Sequence, residues 1–366
     1  MIYLDNAADA PIKPLVAAAV CSWMERTGNP GSIHSAGRNA ALAIQHAREQ
    51  TAGLFHCAPE NVIFTSGGAE GNNTVVSSFR NVAYSEAEHS SVIHACVGHD
   101  REFYPVPLAE NHTVDLVKLS ELLARHVIHL VCVMAVNNET GVENDIRRVA
   151  DLCHANNAFL LTDCVQAVGA MELDMERLGC DFATISGHKF GGPKGVGAIY
   201  VRRPDTLNAL IYGGSAQEFG LRGGTENVPG IVGLGAACTL VRVVDRREDL
   251  FQAFLAPLRQ ALGEDHGIRV NGVGAKILNI GIRGVNAETL LYALDLCGVC
   301  VSTGSACNSV EVVPSHVLKA IGLSDEEASE SIRISVSDKT TADELREAAR
   351  ITADNVRFLR EQGLMI

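Results

Sequence analysis

The stretch Phe182-Ala-Thr-Ile-Ser-Gly-His-Lys-Phe-Gly-Gly-Pro-Lys-Gly-Val-Gly-Ala-Ile-Tyr-Val201 carries the pattern that decides the fold. Its two ends, 182–185 and 197–201, are short apolar runs typical of buried strands, and the glycines and proline between them indicate a turn. Continuous apolar runs of this kind are typical of strands that helices cover on both faces. The stretch therefore favours an α/β protein built on a buried sheet.

The same alternation of helical and strand patterns continues along the chain. The sequence predicts helices over 13–26, 36–55, 69–79 and 145–156, and strands over 61–65, 82–84, 129–136 and 159–162. A long helical stretch is predicted over 228–262, and further strands over 277–282 and 332–336. We expect a large domain over 13–250, with a mostly parallel sheet covered by helices. A smaller α/β C-terminal domain would combine 1–12 with 251–366.

The composition excludes several classes of protein. Of the 366 residues, 47% are hydrophobic and 20% charged, which is not the composition of a disordered chain. The net charge of −13 disfavours binding to nucleic-acid phosphates or anionic membranes. The longest apolar runs without glycine, 15–21 and 130–136, have seven residues each, whereas a membrane-spanning helix needs roughly 20. The N-terminus, interrupted early by Asp5, is not typical of a signal peptide, so we expect a cytoplasmic protein.

The cysteines do not indicate a disulfide framework. They number eleven, an odd count, and are scattered through a large chain, as expected of buried small hydrophobes. Cys297 and Cys300 form one CxxC motif, but no second CxxC or close histidine pair accompanies it. Because a structural zinc site needs four ligands, we expect no metal site.

Lys189 and Asp163 are the first candidate functional residues. Lys189 follows a strand within the glycine-rich turn, and a lysine buried in a cleft there becomes a nucleophilic amine able to form an imine with an aldehyde cofactor. Asp163 ends the strand 159–162, where open α/β sheets bind ligands. A carboxylate there would keep the ring nitrogen of pyridoxal phosphate protonated. Taken alone, each has a simpler interpretation: a surface lysine in a turn, and a helix N-cap.

Thr65-Ser-Gly-Gly-Ala-Glu-Gly-Asn-Asn73 is a strand end, a glycine turn and a helix start. Gly67 and Gly68 would let backbone N–H groups approach an anion at the positive end of the helix. The turn lacks GxGxxG, and the chain has no GxxxxGK[ST], so a nucleotide site is disfavoured. An ordinary βα turn is the alternative.

His89, after the strand 82–84, is suited to stacking on an aromatic cofactor and moving protons, or to a structural role.

Together these segments resemble the class V aminotransferase family of fold type I pyridoxal-phosphate enzymes, and most closely the cysteine desulfurases. The resemblance runs nearly end to end. Its matching segments are Tyr3-Leu-Asp-Asn6, Gly28-Asn-Pro30, Thr65–Asn73, Glu88-His89, Val136-Asn-Asn-Glu-Thr-Gly141, Asp163-Cys-Val-Gln166, Ser186-Gly-His-Lys189, Arg222-Gly-Gly-Thr-Glu-Asn227, Ser302-Thr-Gly-Ser-Ala-Cys307 and Ser331-Ile-Arg-Ile-Ser335. The ordered series is specific, although no single member is.

The resemblance implies a set of cofactor-binding residues. Lys189 would hold pyridoxal 5'-phosphate covalently, and the ring would be bound by Asp163 at its nitrogen, Gln166 at its hydroxyl and His89 by stacking. The phosphate would be bound by Gly68, Ala69, Ser186 and His188, joined by Thr225 of a second copy, which implies a homodimer.

The resemblance also implies the reaction. Asn138 would contact the cofactor and, together with Arg333, bind the carboxylate of L-cysteine, a task that suits the planar fork of arginine. The alternative for Arg333 is a structural ion pair. Cys307 lies in a small polar stretch that would expose a reactive thiolate, whereas Cys132, on an apolar strand, is expected to be buried. Cys307 would take the substrate sulfur as a persulfide, leave alanine, and pass the sulfur to an acceptor protein for iron–sulfur assembly or thiolation.

Three positions depart from the common pattern of the family. Two threonines usually follow Ala8, where this chain has Asp9 and Ala10, and a threonine usually stands at Ala69. The missing hydroxyl removes a phosphate hydrogen bond worth about 1–3 kcal/mol, and the negative charge of Asp9 is expected to disfavour phosphate or an anionic substrate nearby. These departures keep alternatives open: a selenocysteine lyase, another class V enzyme, or a catalytically impaired scaffold.

Overall fold

The structure is a computed structural model that describes residues 1–97, 101–214, 216–243, 247–263, 267–303 and 314–362. Its strands are β1 (Ile2–Tyr3), β2 (Val62–Thr65), β3 (Asn81–Ser85), β4 (Glu102–Val106), β5 (Leu130–Cys132), β6 (Phe159–Asp163), β7 (Phe182–Ser186), β8 (Gly197–Val201), β9 (Ile268–Val273), β10 (Ile277–Ile282), β11 (Val299–Cys300), β12 (Ser302–Thr303) and β13 (Ser331–Ser335).

Its α-helices are α1 (Pro14–Met24), α2 (Ser35–Phe55), α3 (Gly68–Ser77), α4 (Ser90–Val97), α5 (Leu116–Arg125), α6 (Ile146–Ala155), α7 (Met175–Leu178), α8 (Val228–Thr239), α9 (Arg247–Leu262), α10 (Ala287–Leu296), α11 (His316–Ala320), α12 (Asp325–Ser329) and α13 (Ala342–Glu361). In the described part of the chain, no helix is long and apolar enough to cross a membrane.

The main sheet has seven strands in the order β2-β8-β7-β6-β5-β3-β4. The pairs from β7 to β4 are parallel, and β8 is antiparallel to both of its neighbours. The predicted, mostly parallel sheet is therefore confirmed. β8 runs antiparallel because the turn 187–196 is too short for a crossover helix, which a parallel connection requires. The predicted strand 129–136 was too long, since the regular strand β5 ends at Cys132.

Both faces of this sheet are buried, as the apolar strands predicted. Side chains alternate between the two faces along a strand, so Val82 and Tyr84 pack into one cluster with α3 and α4, while Ala83 packs into the other with α2 and α8. Cys132 is fully buried, as expected. The helices that cover both faces leave the strand ends open.

The predicted single helical stretch over 228–262 is wrong, because the structure has two helices there, α8 and α9. Cationic side chains bind the carbonyl oxygens at the end of α8. Lys13 Nζ donates to Leu240 O at 2.8 Å, and Arg242 Nη1 donates to Thr239 O at 3.3 Å. Cations that satisfy the last carbonyls stabilise a helix end.

A second hydrophobic cluster combines the first residues of the chain with its last third. The antiparallel sheet β12-β13-β10-β9 packs with α9, α10 and α13. β1 pairs with β11, and Leu4 is fully buried in this cluster. The chain then passes Ser335, which bridges to Asp5, toward the open ends of the main sheet. The division at residues 13 and 250 stays a prediction.

Candidate active site

A cavity of about 570 Å³ lies at the carboxyl ends of β6 and β7, and we call it the strand-end cavity. Its volume is within the range of small-molecule sites. Ten of the twelve residues predicted from the sequence line it: Gly68, Ala69, His89, Asn138, Asp163, Gln166, Ser186, His188, Lys189 and Arg333. Thr225 is exposed and is not part of this lining, and Cys307 lies outside the described residues.

Lys189 reaches the cavity from a single helical turn, Gly187–Lys189, directly after β7. The turn needs glycine at its first position, since a Cβ on Gly187 would lie 2.9 Å from Pro193 O. Lys189 Nζ donates hydrogen bonds to Ala7 O and Ala8 O, each at 2.8 Å. The N-terminal segment thus holds the amine at the cavity wall.

Asp163 is fixed at the end of β6 by donors on both of its oxygens. Val165 N–H donates to Oδ1 at 2.9 Å, and Asn72 Nδ2 donates to Oδ2 at 2.8 Å. Asn72 cannot flip without cost, because Thr184 Oγ1 donates to its Oδ1 at 2.7 Å. The two hydrogen bonds therefore fix the orientation of this carboxyl group at the base of the cavity.

The same asparagine also reaches His89 through one serine. Asn72 Nδ2 donates to Ser91 Oγ at 3.0 Å, and Ser91 Oγ lies 2.7 Å from His89 Nδ1. Ser91 N–H donates to that Nδ1 at 3.1 Å, so Nδ1 is an acceptor and the ring proton sits on Nε2. Burial lowers the pKa of His89. The charge of Asp163 raises this pKa, and the charge of Lys189 lowers it further, so the net shift is downward. His89 is therefore a neutral imidazole with an N–H available at Nε2.

The sequence analysis missed Asn72, although a signal for it exists. Asparagine is a poor helix former in a helix interior, yet Asn72 lies in the first half of α3 and is 1% exposed. A buried polar side chain must find hydrogen-bond partners, so its position behind the glycine turn was a sign of a site network.

The glycine turn after β2 has the geometry of an anion cradle. α3 begins at Gly68, and the first N–H groups of a helix have no partner within it. A Cβ on Gly68 would lie 2.7 Å from Val165 Cγ2, so this position accepts glycine alone without movement of its neighbour. Ser186 and His188 line the cavity beside the turn. The donors present are those that a phosphate group requires.

Gln166 and Arg333 are tied to the N-terminal segment. Gln166 Nε2 donates to Ala7 O at 2.9 Å. Arg333 Nη2 donates to Asp5 Oδ1 at 2.9 Å, and its Nη1 donates to Asn138 O at 2.8 Å. Arg333 therefore forms an ion pair with Asp5 and also lines the cavity.

Two buried polar atoms beside Arg333 lack a partner among the described residues. They are Arg333 Nε and Asn138 Oδ1. An unsatisfied buried donor or acceptor costs about 1–3 kcal/mol, and such atoms mark a place where a polar ligand completes the hydrogen bonding. Their neighbour Glu139 is 4% exposed, and burial raises its pKa to about 7 although Ser315 Oγ and Arg333 oppose the shift.

Asp9 does not stand as an uncompensated charge. Its Oδ1 lies 3.0 Å from His188 Nδ1 and its Oδ2 lies 2.9 Å from Lys194 Nζ. Burial raises the pKa of Asp9, but hydrogen bonds from Lys194 and His188 outweigh it and hold the pKa below its usual value. The expected repulsion of an anion is therefore offset locally.

Comparison with known proteins accounts for this constellation. A sequence model of the family described as aminotransferase class-V matches residues 2–347. The chain belongs to the class V aminotransferase family.

Relatives across nearly the full length support the same assignment. The putative cysteine desulfurase IscS 1 of Bacillus subtilis (strain 168) is 36% identical over 378 residues, covering 98% of this chain and 99% of the relative. The mitochondrial cysteine desulfurase of Drosophila melanogaster is 38% identical over 384 residues, covering 99% and 82%. The X-ray structure of the NifS-like protein from Rickettsia africae ESF-5 matches with a TM-score of 0.86 at 32% identity, covering 98% and 99%. The expected family and fold are confirmed.

Within this class V aminotransferase, the roles of all the candidate site residues stay predictions. Ala69 lines the strand-end cavity but is exposed and offers no side-chain donor. Of the two CxxC cysteines, Cys297 is exposed and Cys300 is half-buried. Among the described residues, no cluster of three or more His, Cys, Asp or Glu side chains is arranged to hold a metal ion.

Proposed function

We propose that this protein is a pyridoxal-phosphate-dependent cysteine desulfurase. It takes sulfur from L-cysteine, releases L-alanine and holds the sulfur as a persulfide on Cys307 for transfer to an acceptor protein. The observation that carries the proposal is the convergence of Lys189, Asp163 and His89 on one cavity of about 570 Å³. Relatives named as cysteine desulfurases, at 36% and 38% identity over nearly the whole chain, support the substrate.

The donor set fits the cofactor. The Asp163 carboxylate would pair with the ring nitrogen, His89 would stack on the ring, and Gln166 would meet the ring hydroxyl. The phosphate would be bound by the backbone of Gly68 and Ala69 and by Ser186 and His188. When bound, pyridoxal phosphate supplies an electron sink for the bond electrons of the substrate carbon.

Substrate binding is assigned to Asn138 and Arg333. Guanidinium pairs with carboxylate bidentately, and the pairing of Arg333 with Asp5 orients the fork. The partnerless Arg333 Nε and Asn138 Oδ1 gain partners when an amino-acid head group enters. Asp5 thus acts as a positioning residue.

Three side chains carry out the transfers: Lys189 and His89 move protons through their nitrogens, and the thiol of Cys307 takes the sulfur. Lys189 Nζ, as an uncharged amine, takes the proton from the substrate Cα. His89 presents an N–H at Nε2 and serves as a proton donor and carrier. The Cys307 thiolate attacks the substrate sulfur, so one S–S bond forms as the C–S bond breaks, and the carbon skeleton takes up protons to leave as alanine. Selenocysteine would meet the same residues, and a selenide assay separates that alternative.

A second copy of the chain and an acceptor protein are the proposed partners. Thr225 is exposed, and exposed apolar side chains lie nearby in sequence, among them Tyr212 at 85% and Phe219 at 55%. These side chains are available for contact with a second copy, and Thr225 would then complete the phosphate site of that copy. The cytoplasm remains the predicted location. A protein that is monomeric by light scattering and yet fully active would contradict the proposed dimer.

The test of the proposal is spectroscopic first and chemical second. Protein saturated with pyridoxal phosphate should show the visible absorbance of a lysine imine, and Lys189→Ala should abolish it. Cys307→Ser should keep this absorbance and its response to L-cysteine, yet release no sulfide under reductant. Cys297→Ser, an exposed cysteine elsewhere, is the matched control and should keep full production of alanine and sulfide. Absence of any visible band in the saturated wild type refutes the proposed function.

A further inference from the structure

Asp9 lies between two cationic groups at the edge of the strand-end cavity. Asp9, His188 and Lys194 all line this cavity, with the distances of 3.0 Å and 2.9 Å given above. Two hydrogen bonds hold the backbone of residues 9 and 10 in place. Tyr3 Oη donates to Asp9 O at 2.8 Å, and Ala10 N–H donates to His188 O at 2.9 Å. The contact between Asp9 and His188 is thus built into the fold.

The contact determines which ring nitrogen of His188 is available to a ligand. An ionised carboxylate only accepts hydrogen bonds, so His188 Nδ1 must carry a proton toward Asp9. Nε2 is then the nitrogen left for the cavity. In the neutral ring Nε2 is an acceptor and cannot bind a phosphate oxygen. A phosphate dianion therefore requires the imidazolium form, in which Nε2 donates as well.

The charges around His188 decide how readily this form appears. Burial lowers the pKa of His188, the hydrogen bond to Asp9 raises it, and the positive charges of Lys189 and Lys194 lower it further. The net shift is downward, so His188 is mostly neutral at pH 7 and above before an anion arrives. Asp9 stabilises an imidazolium at His188 while it also pairs with Lys194, so the three charged groups together would present a net positive charge to the ligand.

From this geometry we propose that Asp9 is a positioning residue that holds His188 as a phosphate donor and makes binding of a phosphorylated ligand take up a proton. The inference rests on the proposed function only in taking pyridoxal 5'-phosphate as that ligand. Asp9 supplies through His188 an anion contact that Ala69, without a hydroxyl, does not give. An uncharged amide at position 9 would still accept the hydrogen bond from His188 Nδ1, but it would not stabilise the positive charge of the imidazolium ring.

The test compares wild-type apoprotein with Asp9→Asn, which keeps an acceptor oxygen and removes the charge. Binding of pyridoxal 5'-phosphate and of unphosphorylated pyridoxal is measured by absorbance at pH 6 and pH 8. The expected loss for Asp9→Asn is about tenfold in phosphorylated-cofactor affinity at pH 8, equal to about one pKa unit at His188. The loss should be smaller at pH 6, and pyridoxal affinity should not change. Asp205→Asn, which removes an equal charge from an exposed ion pair, should bind like the wild type.

Each result decides the question. If charge repulsion dominates, Asp9→Asn binds the phosphorylated cofactor as tightly as the wild type or tighter, and the inference is wrong. Equal losses for both ligands also overturn it, since the effect then does not pass through phosphate. A wild type that binds neither ligand refutes the proposed function instead.

A measurement on the wild type alone covers the case in which Asp9→Asn does not fold. Calorimetry at pH 8 in buffers of different ionisation enthalpy gives the protons taken up on binding. Imine formation is common to both ligands, so the uptake with pyridoxal 5'-phosphate minus that with pyridoxal isolates the phosphate contribution. We expect a difference near one proton, and a difference of zero contradicts the inference.

Discussion

Replacing Asn72 with alanine tests whether one buried amide organises the site. The change removes the donor to Asp163 Oδ2 at 2.8 Å, the donor to Ser91 Oγ at 3.0 Å and the acceptor of Thr184 Oγ1 at 2.7 Å. A hydrogen bond to a charged group contributes about 1.5–3 kcal/mol and a neutral one about 1 kcal/mol. The three together predict a loss of about 3–5 kcal/mol in the free energy of unfolding.

The neighbouring Asn73 provides a matched control. It has the same side chain in the same helix, but its Nδ2 donates to the backbone oxygens of Ala69 and Ser91 and does not reach Asp163. Asn73→Ala should therefore cost about 1 kcal/mol. Urea unfolding of the apoproteins measures both free energies, without any dependence on catalysis.

Function supplies the second measurement for the same pair of variants. Without Asn72, Asp163 keeps the donor at Oδ1 and loses the donor at Oδ2, so its carboxyl group is less firmly oriented. Cofactor affinity should fall by at least about tenfold in Asn72→Ala, corresponding to about 1.4 kcal/mol. Affinity should stay close to wild type in Asn73→Ala. If the two variants unfold within 1 kcal/mol of each other and bind cofactor equally, the network has no special role.

Two further predictions concern the substrate side of the cavity. Burial raises the pKa of Glu139 from 4.5 to about 7, so the folded state binds more protons than the unfolded state between these values. The free energy of unfolding should therefore fall as pH rises through this window, and the fall should be about 3 kcal/mol larger in the wild type than in Glu139→Gln. Urea unfolding at several pH values measures this difference, and equal pH dependence of the two proteins would contradict the prediction. Arg333→Lys keeps the charge but loses the fork, so KM for L-cysteine should rise about tenfold or more with a smaller change in kcat. An unchanged KM would remove Arg333 from substrate binding.

The parts of the molecule that depend on local pattern were predictable. β7 and the turn with Lys189 follow from an apolar run and the glycines after it, and both lie where the sequence indicated. The end of α8 was not predictable, because the cation that binds Leu240 O is Lys13, 227 positions away in the chain. A local helix pattern does not reveal a cation that comes from so distant a part of the chain.

The site shows the same division between local and distant determinants. The sequence indicated that Asp9 could bring a negative charge near the site. It did not show that His188, 179 positions away in the chain, pairs with this charge. Asn72 was missed because a helix pattern does not tell which polar side chain faces a strand end. Motif order, by contrast, brought ten of the twelve predicted residues to one cavity, since most of the motifs follow strands of the main sheet and the carboxyl ends of its parallel strands meet at one edge. Arg333 is an exception, because it lies within β13 of the smaller sheet.

Residues 5–9 explain why the ends of the chain meet at the site. Ala7 O accepts from Lys189 Nζ and from Gln166 Nε2, Asp9 binds His188, and Asp5 binds Arg333. These contacts join positions 159 to 328 residues apart. The segment is held at its origin by the pairing of β1 with β11 and by burial of Leu4 in the second cluster. Lys189, His188 and Arg333, which come from three distant parts of the chain, are therefore positioned at the cavity by contacts with one segment.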